Sequence, residues 1–283
     1  MTRTGPKITG ARHAADLARS LLDGGHTLIV SDFDGTLAIP MADPWATTIV
    51  PAARRALRRL AAREDTDVAF LSGRAALDLA GRVRVGSATY LGDHGSQSAV
   101  ARRGFRATAL EVGHEPLDPE VSATVRSLVE GVPRALTEPW LVVEDKGGAV
   151  SFHVRSAPDV DGARARVLAV CDAIDPAGLL VRGGGRRVLE LRAPGASDKG
   201  AAMRRLLEER QPHAVLALGD DPSDVLAFEV LREARTTGRP TGLAIGVAGR
   251  TEVSAFVAPH ADLMLGSAVE ASRFLGLLAR GCP

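Results

Sequence analysis

Two aspartates, Asp32 and Asp34, stand two residues apart directly after a short apolar run that ends at Ser31. The apolar run predicts a buried strand, and residues i and i+2 of an extended chain point to the same side. We therefore expect both carboxylates just beyond a strand end, where open parallel sheets bind their ligands. Two such carboxylates suit a hard cation and phosphoryl transfer, in which one attacks phosphorus and its neighbour moves a proton. The alternative is a surface turn, since Asp, Gly and Thr are common turn residues.

Further polar groups stand at predicted strand ends or at a predicted helix start. They are Ser72, Lys199, Asp220, Asp221 and Asp224. A serine can donate to a phosphoryl oxygen, a lysine can neutralise a nucleophile and a phosphate, and more carboxylates can complete a magnesium site. Asp224 can also anchor Lys199 or a metal-bound water. Each residue alone is explained equally well by a turn, a solvated helix position or a helix cap, but together they favour one phosphoryl-transfer site.

The elements that position these residues alternate in type along the chain. Apolar runs predict strands over 27–31, 67–71, 89–91, 214–218 and 241–247. Periodic segments predict helices over 11–23, 51–63, 75–81, 198–210 and 266–279. Strands that alternate with helices are typical of βαβ units, so we predict an α/β fold with a Rossmann-like parallel sheet core.

A different pattern interrupts this core. Residues 98–101 and 105–111 predict a hairpin, and residues 114–193 then follow the order helix, strand, strand, helix, strand, strand. We predict a core domain of residues 1–113 and 194–283 and an inserted α+β cap of residues 114–193.

The bulk composition limits the partners. The chain has 283 residues, of which 45% are hydrophobic, and a formal net charge of +1. This balance gives no reason to expect nucleic acid or an anionic membrane as a partner. Two cysteines make no disulfide framework, and we find no signal peptide and no apolar run long enough to span a membrane. We expect a cytoplasmic protein, and a monomer is the simplest expectation for its assembly.

The motifs D-F-D-G-T-L at 32–37, S-G-R at 72–74, K-G at 199–200 and G-D-D-P-S-D at 219–224 resemble those of haloacid-dehalogenase-like (HAD-like) phosphatases. The resemblance spans nearly the whole chain, including the inserted cap, and implies that this cap provides substrate specificity. It implies that Asp32 is a nucleophile that forms an aspartyl-phosphate and that Asp34 is the general acid and base. It also implies a Mg²⁺ ion held by Asp32, the backbone carbonyl of Asp34 and Asp220, with Asp221 and Asp224 beside it.

Other segments resemble the trehalose-6-phosphate phosphatase family. They are V-L-E-L-R-A-P-G-A-S-D-K-G at 188–200, G-D-H-G-S-Q at 92–97 and V-E-D-K-G-G-A-V-S-F-H-V-R at 143–155. The match implies that Glu144, Lys146 and Glu190 hold the hydroxyls of the distal sugar. It also gives substrate-binding roles to Arg74, His94, Gln97 and Arg155. Gln97 stands where the family usually has Glu, and Val154 stands where it has Tyr.

The resemblance leaves several functions open. The first is hydrolysis of trehalose 6-phosphate, a small-molecule sugar phosphate. The second is the same chemistry on a related disaccharide or pseudo-disaccharide phosphate, such as a validoxylamine-type phosphate, or on another sugar or polyol phosphate. The third is a non-catalytic domain that senses a sugar phosphate. The two hydrolytic functions require Asp32 and Asp34 to lie near Asp220, with Lys199 beside them, whereas a sensor domain usually lacks the nucleophile or the metal-binding aspartate.

Overall fold

The structure is a computed structural model that describes residues 8–22, 25–41, 43–238, 240–249 and 251–281. The chain divides into two compact units. The first comprises residues 1–113 and 197–283, and the second comprises residues 114–196.

Strands and helices are numbered in chain order. The strands are β1 (Thr27–Ser31), β2 (Thr66–Leu71), β3 (Ala88–Gly92), β4 (Gln97–Ala101), β5 (Gly113–His114), β6 (Val142–Asp145), β7 (Ala149–His153), β8 (Val181–Gly183), β9 (Val188–Arg192), β10 (Ala214–Gly219), β11 (Thr241–Val247) and β12 (Leu263–Leu265). The helices are α1 (Ala11–Leu22), α2 (Pro51–Leu60), α3 (Ala76–Val83), α4 (Pro119–Ala135), α5 (Val160–Ile174), α6 (Lys199–Arg210), α7 (Pro222–Arg235), α8 (Thr251–Val257) and α9 (Ala268–Gly281).

The first unit is built on an eight-stranded sheet in the order β12-β11-β10-β1-β2-β3-β4-β5. Strands β12 to β3 run parallel, and β4 pairs antiparallel with β3. Every residue of β1 and β10 is buried, which explains their almost continuous apolar sequences. Because β1, β2 and β10 are parallel neighbours, the residues that follow them meet at one edge of the sheet.

Two apolar layers cover the faces of this sheet. Ile29 of β1 packs in a cluster with side chains of α1, α2 and α9, such as Leu57 and Phe274. Its neighbours Leu28 and Val30 pack in a second cluster with side chains of α6 and α7. The alternation follows from the two-residue repeat of a strand. Since both faces are covered, β1 is held rigidly, and so is the position of the residues that follow it.

The second unit is a four-stranded antiparallel sheet, in the order β6-β7-β9-β8, with helices α4 and α5. Asp118 and Asp159 cap the first turns of these helices by accepting backbone N–H groups. Its core includes Trp140, Phe152 and Cys171. The unit therefore has an apolar core of its own.

The predicted α/β class with a parallel sheet core is confirmed. The hairpin predicted over 98–101 and 105–111 is wrong in its second half, where residues 107–109 form a short 3-10 turn. Phe105 and Leu110 pack against the core, so the apolar pattern of this segment reflects packing rather than pairing. Helices α7 and α8 and strand β12 were not predicted. In the described part of the chain, no helix combines the length and hydropathy needed to cross a bilayer.

Candidate active site

Asp32 lies directly beyond β1, at the centre of the sheet. Its backbone N–H donates to the carbonyl of Leu218 at 2.9 Å, which extends the pairing of β1 with β10. Phe33 turns into the core and is fully buried, so the two flanking aspartates lie on the other side of the chain. Asp32 is itself 5% exposed, whereas the side chain of Asp34 is 41% exposed. The pair therefore offers one buried and one accessible carboxylate.

Gly35 allows the chain to turn beside Asp220. Its φ of +84° is a left-handed conformation that side chains rarely adopt. A Cβ atom at this position would overlap the carboxylate of Asp220. The next residue, Thr36, donates from its hydroxyl to Asp220 Oδ1 at 3.1 Å. A residue without a side chain is therefore required for the loop after β1 to approach the loop after β10.

The loop after β10 is organised by the start of α7. Asp221 caps this helix by accepting the N–H groups of Ser223 and Asp224. Asp224 reaches back, and its Oδ2 accepts the N–H groups of Asp220 and Asp221 at 2.9 and 3.1 Å. This capping box fixes the loop and leaves the carboxylate of Asp220 pointing at Thr36.

Lys199 joins the two loops. It is the first residue of α6 and is 2% exposed. Its ammonium donates to Asp32 Oδ1 at 2.8 Å and to Asp224 Oδ1 at 2.7 Å. Burial lowers the pKa of Lys199, but Asp224 and Asp32 outweigh burial and hold that pKa above its usual value. Lys199 therefore stays charged at neutral pH.

An acidic cluster surrounds this ammonium. One oxygen from each of Asp32, Asp220 and Asp224 lies within 4.8 Å of the other two. Burial, reinforced by the neighbouring carboxylates, raises the pKa of Asp220 to about 7. Burial also raises the pKa of Asp224 to about 6, although Lys199 opposes this shift. Closely spaced oxygen donors with an excess of negative charge fit a divalent metal ion.

Ser72 and Arg74 lie beyond β2, on the other side of β1. Ser72 is buried, and its hydroxyl oxygen accepts the N–H of Arg74 at 3.2 Å. The Arg74 guanidinium donates to both oxygens of Asp34, with Nε to Oδ2 at 2.6 Å and Nη2 to Oδ1 at 2.7 Å. Arg74 was predicted to bind substrate, and the structure places its guanidinium against the proposed acid and base.

His94 and Gln97 lie beyond β3, next to Ser72 and α3. His94 adopts a φ of +57°, and its N–H donates to the carbonyl of Ser72 at 2.9 Å. A Cβ atom on Gly73 would clash with the His94 ring, so the absence of a side chain at this position leaves room for the imidazole. Gln97 is buried, and its side-chain oxygen accepts the N–H of Ala76 at 2.8 Å. Gln97 therefore supports the start of α3.

The other predicted sugar-binding residues belong to the second unit, in its sheet or directly after its strands. Lys146, in the turn after β6, is 5% exposed and donates to Glu190 Oε2 at 2.8 Å. Glu144 contacts the His153 ring at 3.0 Å, and Arg155 follows β7. Burial raises the pKa of Glu190, but Lys146 outweighs burial and lowers that pKa to about 2. Lys146, which was predicted to hold sugar hydroxyls, is thus part of a buried ion pair with Glu190.

The structure brings the predicted residues together in two groups, one in each unit. The group in the first unit contains Asp32, Asp34, Ser72, Arg74, His94, Gln97, Lys199, Asp220, Asp221 and Asp224. The group in the second unit contains Glu144, Lys146 and Glu190. Arg155 belongs to the same unit, two residues after the end of β7. Sequence reasoning missed Thr36, whose position two residues after Asp34 was a usable signal. It also missed Asp78, one helical turn after Arg74.

This fold, with its acidic groups beyond β1 and β10, is that of the HAD-like hydrolases. A solved HAD-like hydrolase from Bacteroides thetaiotaomicron superposes with a TM-score of 0.57 at 18% identity, over 87% of this chain and 96% of that one. Within this class, the chain belongs to the trehalose-phosphatase family, whose model matches residues 30–259. The expected family is thereby confirmed.

Individual relatives agree with this assignment. A trehalose-phosphate phosphatase of Mycobacterium avium (strain 104) is 36% identical over 231 residues, which are 77% of this chain and 55% of that protein. The chain thus spans about half the length of this curated relative. The solved C-terminal domain of a trehalose-6-phosphate phosphatase from C. albicans has a TM-score of 0.71 at 20% identity, over 99% of this chain and 100% of that one.

Proposed function

We propose that this chain is a Mg²⁺-dependent phosphatase that hydrolyses trehalose 6-phosphate to trehalose and phosphate through an aspartyl-phosphate. The contact between Lys199 and Asp32 carries the proposal, because it places a charged amine beside the one buried carboxylate that follows the central strand. Membership of the trehalose-phosphatase family supports the substrate.

The first step transfers the phosphoryl group to the enzyme. A carboxylate oxygen of Asp32 attacks phosphorus, and the bond between phosphorus and the 6-oxygen of the sugar breaks. Asp34 donates a proton to that oxygen as trehalose leaves. Asp34 suits this role because its carboxylate is accessible, whereas Asp32 is buried and oriented by Lys199.

The second step regenerates the enzyme. Asp34, now a carboxylate, takes a proton from a water molecule that attacks phosphorus. The bond between phosphorus and Asp32 breaks, phosphate leaves, and the Asp32 carboxylate is restored. The same side chain thus gives a proton in the first step and takes one in the second, so protons balance over the cycle.

The remaining residues stabilise charge. Lys199 neutralises Asp32 and the phosphoryl oxygens, and Ser72 donates its hydroxyl hydrogen to one of those oxygens. Asp32, the carbonyl of Asp34 and Asp220 are the proposed holders of Mg²⁺, with Asp221 and Asp224 fixing their loop. When bound, the ion offsets the negative charge of the phosphate and of the nucleophile.

Sugar recognition is assigned to the second unit and to the loop after β3. Glu144, Lys146, Glu190 and Arg155 offer charged groups that can bond several hydroxyls at once. His94 and Gln97 are proposed to lie nearer the phosphate, since both follow the strand next to Ser72.

The test is phosphate release from a panel of phosphates in the presence of Mg²⁺. The panel contains trehalose 6-phosphate, a validoxylamine-type phosphate, glucose 6-phosphate and a polyol phosphate. We expect the highest kcat/KM for trehalose 6-phosphate and no release with the D32N variant. Equal rates on unrelated sugar phosphates would overturn the substrate assignment. Tight binding of trehalose 6-phosphate without any release would instead indicate a sensor.

A further inference from the structure

Arg74 and Asp34 form a two-pronged ion pair. Two guanidinium nitrogens of Arg74 donate to the two oxygens of Asp34 at 2.6 and 2.7 Å. In this fork geometry the plane of the carboxylate is fixed as well as its distance. The side chain of Arg74 is 11% exposed and that of Asp34 is 41% exposed, so Arg74 holds Asp34 from the protein side and leaves its other side open.

Arg74 is itself fixed from two directions. Its third guanidinium nitrogen, Nη1, donates to Asp78 Oδ2 on helix α3 at 3.0 Å. Its guanidinium carbon lies 5.5 Å from the centre of the Phe33 ring, within the range of a cation–π contact. Phe33 is fully buried in the core. Contacts other than those with Asp34 therefore also hold the guanidinium in position.

Asp78 extends this chain of contacts to a second arginine. Arg82 donates to Asp78 Oδ2 at 2.7 Å and to the carbonyls of Trp45 and Thr47 at 2.8 Å. Arg82 thereby connects helix α3 to the loop after β1, and the carboxylate of Asp78 joins Arg82 to Arg74. The path from α3 to Asp34 consists of charge-assisted hydrogen bonds, which are stronger than neutral ones.

We infer that Arg74 is a positioning residue that acts through Asp34 and does not bind the sugar phosphate. The inference rests on the proposed function, because it assumes that Asp34 moves the proton. An acid and base that also serves in the second step must keep one orientation while the substrate is exchanged for water. A bidentate arginine supplies that orientation, and a lysine, which is a point charge on a flexible stem, does not reproduce it.

A double-mutant cycle tests this inference. R74Q, D34N and R74Q/D34N are compared with the wild type in turnover of trehalose 6-phosphate. We expect R74Q to lower kcat by about 10²-fold with little change in KM, since general acid–base catalysis is typically worth 10²–10⁴-fold. When R74Q is added to D34N, kcat should fall by less than about threefold further, because Arg74 then has no base to position. R74K should recover only part of the loss.

A second readout separates the two chemical steps. With p-nitrophenyl phosphate the leaving phenolate needs no proton, so R74Q and D34N should release a burst of p-nitrophenol and then turn over slowly. R58Q is the matched control, since Arg58 bonds the carbonyl of Arg84 and has no contact with Asp34. It should keep wild-type kinetics.

The possible failures are distinguishable. Additive losses in the double mutant, or a raised KM with unchanged kcat in R74Q, would assign Arg74 to substrate binding and overturn the inference. A kcat in R74Q at or above the wild-type value would also overturn it. A wild type that hydrolyses no phosphate monoester would instead contradict the proposed function. Melting temperatures of all variants show whether any loss of activity reflects unfolding.

Discussion

The ammonium of Lys199 lies 2.8 Å from a carboxylate oxygen of Asp32, although 167 residues separate the two in sequence. The contact joins the first strand of the sheet to the helix that follows the second unit. It makes the geometry of the proposed nucleophile, Asp32, depend on the correct folding of both halves of the first unit. Because both groups are buried, this ion pair affects stability as well as chemistry.

Replacing Lys199 should therefore lower both the stability and the activity of the protein. We expect K199M to abolish phosphate release and to lower the free energy of unfolding by about 3–5 kcal/mol, because it leaves Asp32 and Asp224 without their cation. Urea denaturation and phosphate assays check this. The double variant K199M/D224N should regain part of the stability and none of the activity. Full stability in K199M alone would contradict the role of the ion pair.

Gly35 should be irreplaceable for a steric reason. In G35A the new Cβ would overlap the carboxylate of Asp220, which must move away from Thr36 and the proposed metal site. We expect a kcat loss of about 10²-fold or more and a higher Mg²⁺ requirement, measured by titrating Mg²⁺ in the assay.

G104A is the matched control for G35A. Gly104 also has a positive φ, of +75°, but a Cβ there meets no atom within 4 Å. The G104A variant should have a free energy of unfolding about 1 kcal/mol lower, because of backbone strain, and should keep its activity. Equal activity losses in both variants would show that strain, and not the clash with Asp220, is responsible.

The pair of Lys146 and Glu190 predicts a pH dependence of stability. Lys146 holds the folded-state pKa of Glu190 at about 2, below the unfolded value, so Glu190 stabilises the fold above about pH 4.3. This stabilisation is lost as the pH falls towards 2. We expect E190Q to be about 3 kcal/mol less stable than the wild type at pH 6, since Lys146 loses its buried partner.

Urea denaturation of the wild type and E190Q between pH 6 and 3 measures this effect. The stability difference should shrink steadily as the pH falls below about 4.3. A difference that stays constant over this range would mean that Glu190 titrates normally in the folded protein.

Tyr90 offers a test of stability away from the site. It is fully buried, and its hydroxyl accepts the N–H of Val85 at 2.9 Å and donates to the Val85 carbonyl at 2.7 Å. Y90F should lower the free energy of unfolding by about 1–3 kcal/mol, because the N–H and the carbonyl of Val85 both lose their hydrogen-bond partner in the protein interior. Thermal unfolding measures the cost, and kcat should be unchanged. A loss of kcat at full stability would show that this turn affects the site.

Much of the first unit was predictable because its signals are local. The apolar run of β1 and the aspartates after it predict a strand end at the position where one is found. The segment after β4 was not predictable in the same way. The apolar residues Phe105 and Leu110 suggest a strand, but tertiary packing against the core determines their conformation.

The roles of individual charged residues were harder to predict. Arg74 has its predicted substrate-binding role from the family resemblance, and its contact with Asp34, which lies 40 residues earlier in the chain, has no local sequence signal. The ion pair of Lys146 with Glu190 was not predicted, because the two residues lie 44 positions apart in the chain. Such pairs depend on which strands become neighbours, and this information is absent from local sequence patterns.

The most direct test of the account is to trap the phosphorylated enzyme. Wild-type protein is mixed with Mg²⁺ and trehalose 6-phosphate radiolabelled in its phosphoryl group, quenched in acid within one turnover, and digested for mass spectrometry. The account predicts one labile acyl phosphate on the peptide that contains Asp32, and no label in D32N. Turnover without a phosphorylated intermediate, or a label on any residue other than Asp32, would contradict it.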